Sequence, residues 1–129
     1  MEVNVALDTN AYSDFMRGDL GHVEIIRAAR HIHLPLMVLG ELRAGLAAGN
    51  QKSANAANLQ RFLGSPRVTV LLPDEQTTHH YAQLYLQLRK KGVAIPTDDL
   101  WIAALVVQHN LVLCTSDNHF QHLPQVAKC

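Results

Sequence analysis

The sequence predicts an α/β protein: a central parallel sheet of about four to five short strands, flanked by helices on both faces, in a single domain spanning 1–129. Three observations carry this. Short apolar runs of strand length recur between longer segments of helical period, and strands separated by helices pair in parallel with both sheet faces covered. The 129 residues suffice for one hydrophobic core. Finally, no internal repeat, low-complexity tract or linker divides the chain.

Taken in order, residues 2–7 (Glu, Val, Asn, Val, Ala, Leu) suit a strand with one strongly apolar face. Asp8-Thr9-Asn10 is N-cap chemistry for a short helix to about Met16, broken by Gly18-Asp19-Leu20-Gly21. A second amphipathic helix follows through Val23, Ile26 and Ala29 or Arg30, then a brief strand at His31–Leu34 closed by Pro35. Residues 36–48 read as a long helix ended by Gly49-Asn50, and 51–63 as another leading into Gly64-Ser65-Pro66. Val68–Leu72 is a β-branched strand. Residues 74–91 are helical, with Arg89-Lys90-Lys91 at the negative end of the dipole and Gly92 as the stop. Thr97 is expected to cap an apolar helix to about Gln108. A strand at Leu111–Thr115, a turn or short helix at Asp117–His122 and an edge strand at Val126-Ala127 complete the chain.

Composition narrows the function classes. With 48% hydrophobic and 17% charged residues the chain is globular. No basic segment precedes the first apolar run, and the longest such run, Leu100–Val107, falls far short of the ~20 residues that span a bilayer. Cys114 and Cys129 provide no disulfide framework. These features predict a cytoplasmic protein. The net charge of zero hides an asymmetry: setting aside Asp8, Glu41, Asp98, Asp99 and Asp117 leaves 11 basic against 6 acidic residues, a balance of +5. A phosphate-backbone partner is therefore permitted.

Those five acids are the candidate site. Asp8 follows the first strand, and Asp117 follows the fourth, where open α/β sheets bind ligands. Each has an ordinary structural reading as well. Asp8 can cap a helix, Asp98 and Asp99 complement a helix dipole for about 0.3–1 kcal/mol, and Asp117 can organise a turn. Glu41 has no such reading. It is mid-helix, sharing a face with Met37, Val38, Ala44, Gly45 and Ala48, where burial would cost several kcal/mol without a cation. Asp99 opens a helix that is apolar nearly all round. Converging carboxylates raise one another's pKa unless a hard divalent cation compensates, and Mg²⁺ or Mn²⁺ prefers oxygen ligands.

Other chemistries fit less well. Cys114, His119, His122 and Cys129 are spaced loosely like zinc ligands, but the gaps match no compact knuckle. His79-His80 reads as a solvated helix face. No Ser/His/Asp arrangement or glycine-rich phosphate loop stands out.

At these residues the sequence resembles the PIN-domain ribonucleases, and among them the VapC-type toxins of type II toxin–antitoxin pairs. The likeness runs over nearly the whole chain: Leu7-Asp8-Thr9-Asn10, Gly40-Glu41-Leu42, Pro96-Thr97-Asp98-Asp99-Leu100-Trp101-Ile102-Ala103-Ala104, and Thr115-Ser116-Asp117-Asn118-His119-Phe120 with Leu123-Pro124. It implies an acid quartet of Asp8, Glu41, Asp99 and Asp117, with Asp98 as an accessory acid. It further implies a Mg²⁺ or Mn²⁺ cofactor, an RNA substrate cut to 3′-hydroxyl and 5′-phosphate ends, a homodimer and a small antitoxin partner. Arg43, Arg89, Lys90 and Lys91 are candidate backbone contacts. Two alternatives stay open: a PIN nuclease of RNA processing with no antitoxin, and a non-enzymatic module that docks a partner's arginine in the acidic cleft.

Overall fold

The computed structural model describes residues 3–49 and 52–129. The strands are β1 (Asn4–Leu7), β2 (His31–Pro35), β3 (Val68–Leu71), β4 (Val112–Cys114) and β5 (Ala127–Lys128). The helices are α1 (Thr9–Arg17), α2 (Leu20–Ala28), α3 (Leu36–Ala48), α4 (Lys52–Leu63), α5 (Glu75–Lys91) and α6 (Thr97–Gln108), with a 3-10 helix at Asn118–His122. Glu2, Asn50 and Gln51, expected at the ends of β1, α3 and α4, lie outside the described residues.

All five strands pair in parallel in the order β3-β2-β1-β4-β5. The chain leaves the central β1 in one direction to build β2 and β3, then returns to add β4 and β5 on the other side. The order reverses at the β1/β4 seam, so loops leaving the carboxyl ends of these two strands diverge and open a crevice. Val5, Ala6, Leu7, Leu113 and Cys114 are fully buried at this seam, as expected of strands covered on both faces.

Local signals explain most boundaries. Gly18 and Gly92 end α1 and α5 in the left-handed region, at φ 75° and 71°, where glycine alone escapes a Cβ clash. Asp74 and Thr77 form a reciprocal capping box at the start of α5. α6 starts differently from expectation. Its N-cap is Pro96, with no side-chain cap bond, and Thr97 is already helical. Proline's fixed φ supplies the extended residue that a hydroxyl cap would otherwise hold. The last strand also starts a residue later than expected, because Val126 is buried as a core anchor just before Ala127.

α6 is the core's central helix: Leu100 and Ile102 through Val106 are all buried. It packs along α5, where Leu84 and Leu88 face it, and Tyr81 stacks on Trp101 with ring centroids 4.4 Å apart. Tyr12 and Phe62 meet edge to face at 5.1 Å, tying α1 to α4. No helix among the described residues is long and apolar enough to cross a membrane.

Candidate active site

The carboxyl ends of β1 and β4 set the first two acids. Asp8 follows Leu7 directly and caps α1, accepting the Ala11 backbone N–H at 2.8 Å through Oδ1. Its other oxygen accepts from the Thr115 hydroxyl. Thr115 Oγ1 in turn accepts the Asp117 backbone N–H at 3.0 Å. One buried hydroxyl therefore joins the two strand ends and orients an acid on each. Asp117 caps the 3-10 helix, accepting the His119 backbone N–H at 2.9 Å.

The α6 N-terminus supplies the next two. Asp99, 17% exposed in its side chain, places Oδ2 2.6 Å from His119 Nδ1, and that nitrogen is also 3.0 Å from Asp117 Oδ1. Donor atoms of Asp99, Asp117 and His119 all lie within 4.8 Å of one another. Asp98 is exposed beside them. Hydrogen bonds thus run continuously from Asp8 through Thr115, Asp117 and His119 to Asp99.

Glu41 enters from α3. Contrary to the expectation of an apolar packed stripe, it is exposed, as are Ala44, Gly45 and Ala48 on the same face. Val38 and Met37 at the start of that stripe do pack on the core, and beyond them Glu41 and Gly45 line a groove. That groove, about 390 Å³, runs from Thr9 and Glu41 between α1, α3 and α4 past Tyr12, Met16, Leu46 and Leu59. Partial shielding by its walls is still enough to matter. Glu41's carboxyl titrates above its ordinary range through desolvation, and the charges of Asp98, Asp99 and Asp8 push it the same way.

The electrostatics tie the five acids together. Burial raises Asp8 first, the Asp117 and Asp99 charges raise it further, and its bonds from Thr115 and Ala11 hold it down only in part. Asp99 is raised by burial and by the Asp117 and Asp98 charges, with His119 acting against them. His119 is correspondingly raised, chiefly by its hydrogen bond to Asp99. Asp99 thus lies within electrostatic reach of each of the other four acids, Asp8, Glu41, Asp98 and Asp117. Beside Glu41, the Thr9 hydroxyl acts against the rise in that carboxyl as a hydrogen-bonding neighbour. Concentrated carboxylates that repel one another fit a hard divalent cation.

Two participants escaped the sequence reading. Both lie in the Thr115–Phe120 segment that carries the resemblance, but Thr115 read as a strand end and His119 as a poor zinc ligand, with no site role for either. The aspartate-x-histidine turn was the available signal, but it needs α6 opposite to acquire meaning. His119 faces carboxylates, so the zinc grouping with Cys114, His122 and Cys129 does not form around it. Among the candidate basic residues, Lys91 Nζ donates to the His122 carbonyl at 2.6 Å, which brings the cationic end of α5 against the 3-10 helix. Arg43 turns away, onto a separate pocket with Leu63 and Gly64.

Comparison with known proteins agrees with this geometry. A family model described as PIN domain matches residues 5–126. Ribonuclease VapC4 of Mycobacterium tuberculosis is 33% identical over 91 residues, covering 70% of each chain. Ribonuclease VapC2 of Rickettsia felis is 27% identical over 106 residues, covering 81% of this chain and 78% of its own. In solved structures, VapBC-1 from nontypeable Haemophilus influenzae superposes with a TM-score of 0.85 at 25% identity, covering 98% of this chain and 97% of that one. DNA-bound VapBC from Salmonella typhimurium shares the fold, with a TM-score of 0.86 at 24% identity over 98% and 97% of the two chains. The crevice at the β1/β4 switch point, the acids gathered around it and the match over residues 5–126 have one reading: this chain belongs to the PIN-domain family.

Proposed function

We propose that the protein is a metal-dependent endoribonuclease of the VapC type, the toxin of a toxin–antitoxin pair, with residues 1–129 forming one nuclease domain. The observation that carries this reading is the electrostatic coupling of Asp99 to Asp8, Glu41 and Asp117 at the switch point, in a chain whose relatives are named ribonucleases. Asp8, Asp99, Asp117 and Glu41 would hold Mg²⁺ or Mn²⁺, with Asp98 accessory. When bound, the ion would make a water acidic enough to attack a phosphodiester and offset charge on the phosphoryl oxygens.

The chain's own residues do the rest. Thr115 fixes the rotamer of Asp8 and the backbone leading to Asp117, so two acids face the crevice without reorganising. His119 bridges Asp99 and Asp117 and relieves their repulsion until a cation does so. Arg89, Lys90 and Lys91 cluster at the end of α5, the last of them anchored to the 3-10 helix, and offer phosphate contacts beside the acids.

A partner fits the groove between α1, α3 and α4. Its apolar floor and acidic mouth complement a protein segment with apolar side chains and one guanidinium, and the structural relatives are solved as VapBC complexes. An antitoxin held there would cover Glu41. The family resemblance extends to a homodimer.

RNA cleavage with and without Mn²⁺, repeated for Asp8→Asn and Asp99→Asn, tests the mechanism. Activity should need the ion and fall by about 10²-fold or more in each variant. Ion-independent cleavage, or full activity in both variants, overturns it. Partner binding that ignores the ion, with no cleavage, would instead identify a docking module.

A further inference from the structure

The sequence holds two cysteines, Cys114 and Cys129, and the fold brings them side by side. β4 and β5 pair in parallel with Leu113 opposite Lys128. The next position along sets Cys114 opposite Cys129, and the Cys129 backbone N–H donates to the Leu113 carbonyl at 3.0 Å, so the ladder still holds there. Residues opposite one another in a parallel pair project to the same face, and neighbouring strands lie about 4.7–4.9 Å apart. A disulfide needs Cα atoms about 4.4–6.8 Å apart with side chains to one side, which this register supplies. Both thiols are free, and they differ in access: Cys114 is fully buried and Cys129 is exposed.

We propose that Cys114 and Cys129 form a reversible disulfide, made by exchange with a low-molecular-weight disulfide of the glutathione class, which closes residues 114–129 into a ring that contains the turn carrying Asp117 and His119.

The difference in access sets the order of steps. Exchange runs through a thiolate, and the exposed Cys129 is the one that an outside disulfide can reach. Contact with the Cys114 thiol holds the Cys129 thiol below its ordinary range, toward the reactive form. Cys129 Sγ attacks one sulfur of the outside disulfide, forming a mixed disulfide and expelling one thiolate. That thiolate takes the Cys114 proton. Cys114 Sγ then attacks Cys129 Sγ and expels the second thiolate, which takes up the proton that Cys129 gave to solvent. Two protein thiols are oxidised and one disulfide is reduced to two thiols, so protons and electrons balance. The place of the link gives it an effect. β5 is two exposed residues at the sheet edge, held by one ladder, and the chain between β4 and β5 is the loop that places Asp117 and His119. Cross-linking the ends of that loop removes conformations from the unfolded chain and so favours the fold.

The test equilibrates the full-length chain with oxidised glutathione and then returns it to dithiothreitol, with intact mass after alkylation in denaturant and thermal melts as readouts. The oxidised wild type should lose two hydrogens, carry no glutathione and take up no alkylating agent. Its Tm should stand about 4 °C or more above that of the reduced protein, and dithiothreitol should abolish the difference. Cys114→Ala should stop at a stable glutathione adduct on Cys129. Cys129→Ser, at an exposed position that keeps the fold, should gain neither adduct nor shift. Two thiols that both alkylate, a lasting glutathione adduct on the wild type, a link between two chains, or an internal link that leaves Tm unmoved overturns the proposal. Because mass and melting are the readouts, failure here leaves the nuclease reading intact.

Discussion

His119 Nδ1 lies 2.6 Å from Asp99 Oδ2, so an imidazole from the loop after β4 is clamped to an acid at the N-terminus of α6. Neither element brings enough of the site alone, and the contact sets the distance between them. His119→Ala removes that clamp and leaves Asp99 and Asp117 facing each other without a donor. Cleavage should fall by about 10–100-fold, as when partners of metal ligands are lost. His119→Gln should recover part of the loss. Steady-state cleavage of a labelled RNA by the three proteins checks this; equal rates would show that the clamp is dispensable.

Thr115→Val keeps the shape of a buried side chain and deletes its hydroxyl. Asp8 then loses a donor and the Asp117 N–H loses its acceptor. The expected costs are about 1–3 kcal/mol in stability and roughly tenfold or more in activity, measured by urea denaturation and RNA cleavage. Thr115→Ser, which restores the hydroxyl, should return most of the activity.

Without metal, Asp8 should oppose folding at neutral pH. Its carboxyl is raised by burial and by the charges of Asp117 and Asp99. A carboxyl raised in the folded state favours folding below its unfolded pKa, and that contribution disappears as pH climbs through the folded value. Asp8→Asn keeps an N-cap residue and removes the charge. In EDTA it should therefore melt higher than the wild type at pH 7, with the difference shrinking in acid below the ordinary carboxylate range. Added Mn²⁺ should raise the wild-type Tm and leave that of the variant nearly unmoved. Thermal melts across pH, with and without Mn²⁺, decide it.

Arg67 predicts an effect on stability alone. Its Nη1 donates to the carbonyls of Ile26, Arg27 and Ala29 at 3.3, 3.2 and 2.7 Å, closing the C-terminus of α2. Arg67→Ala should cost about 1–3 kcal/mol and leave cleavage per folded molecule unchanged, because β3 and α2 lie away from the acids. Denaturation midpoints together with activity normalised to folded protein check both halves.

The order of elements was readable in the sequence because short apolar runs, helical periods and glycine stops are local signals. Gly18 and Gly92 end helices where the pattern placed the ends. α6 was expected to be buried from its residues alone, and it is. The start of α6 was misread: the Thr97 hydroxyl suggests a cap, but the backbone of Pro96 already occupies that role.

The acids divide differently. Asp8, Asp99 and Asp117 were identified at helix starts and strand ends, and the fold places them there. Helical period at Glu41 suggests burial, but a period reports only which residues share a face. Whether that face is covered depends on another element having side chains to meet it. Val38 and Met37 on that face are covered, but Ala44, Gly45 and Ala48 stay exposed with Glu41, which looks into a groove.

By itself, then, the sequence determined the alternating architecture, the parallel sheet and which carboxylates lie at strand and helix ends, since each follows from local pattern. Only the tertiary structure decided that β1 and β4 would be neighbours, that Thr115 would join Asp8 to Asp117, and that His119 would reach Asp99. Those contacts span up to 107 residues of chain, and no local propensity encodes a hydrogen bond between segments that meet only once the sheet has formed.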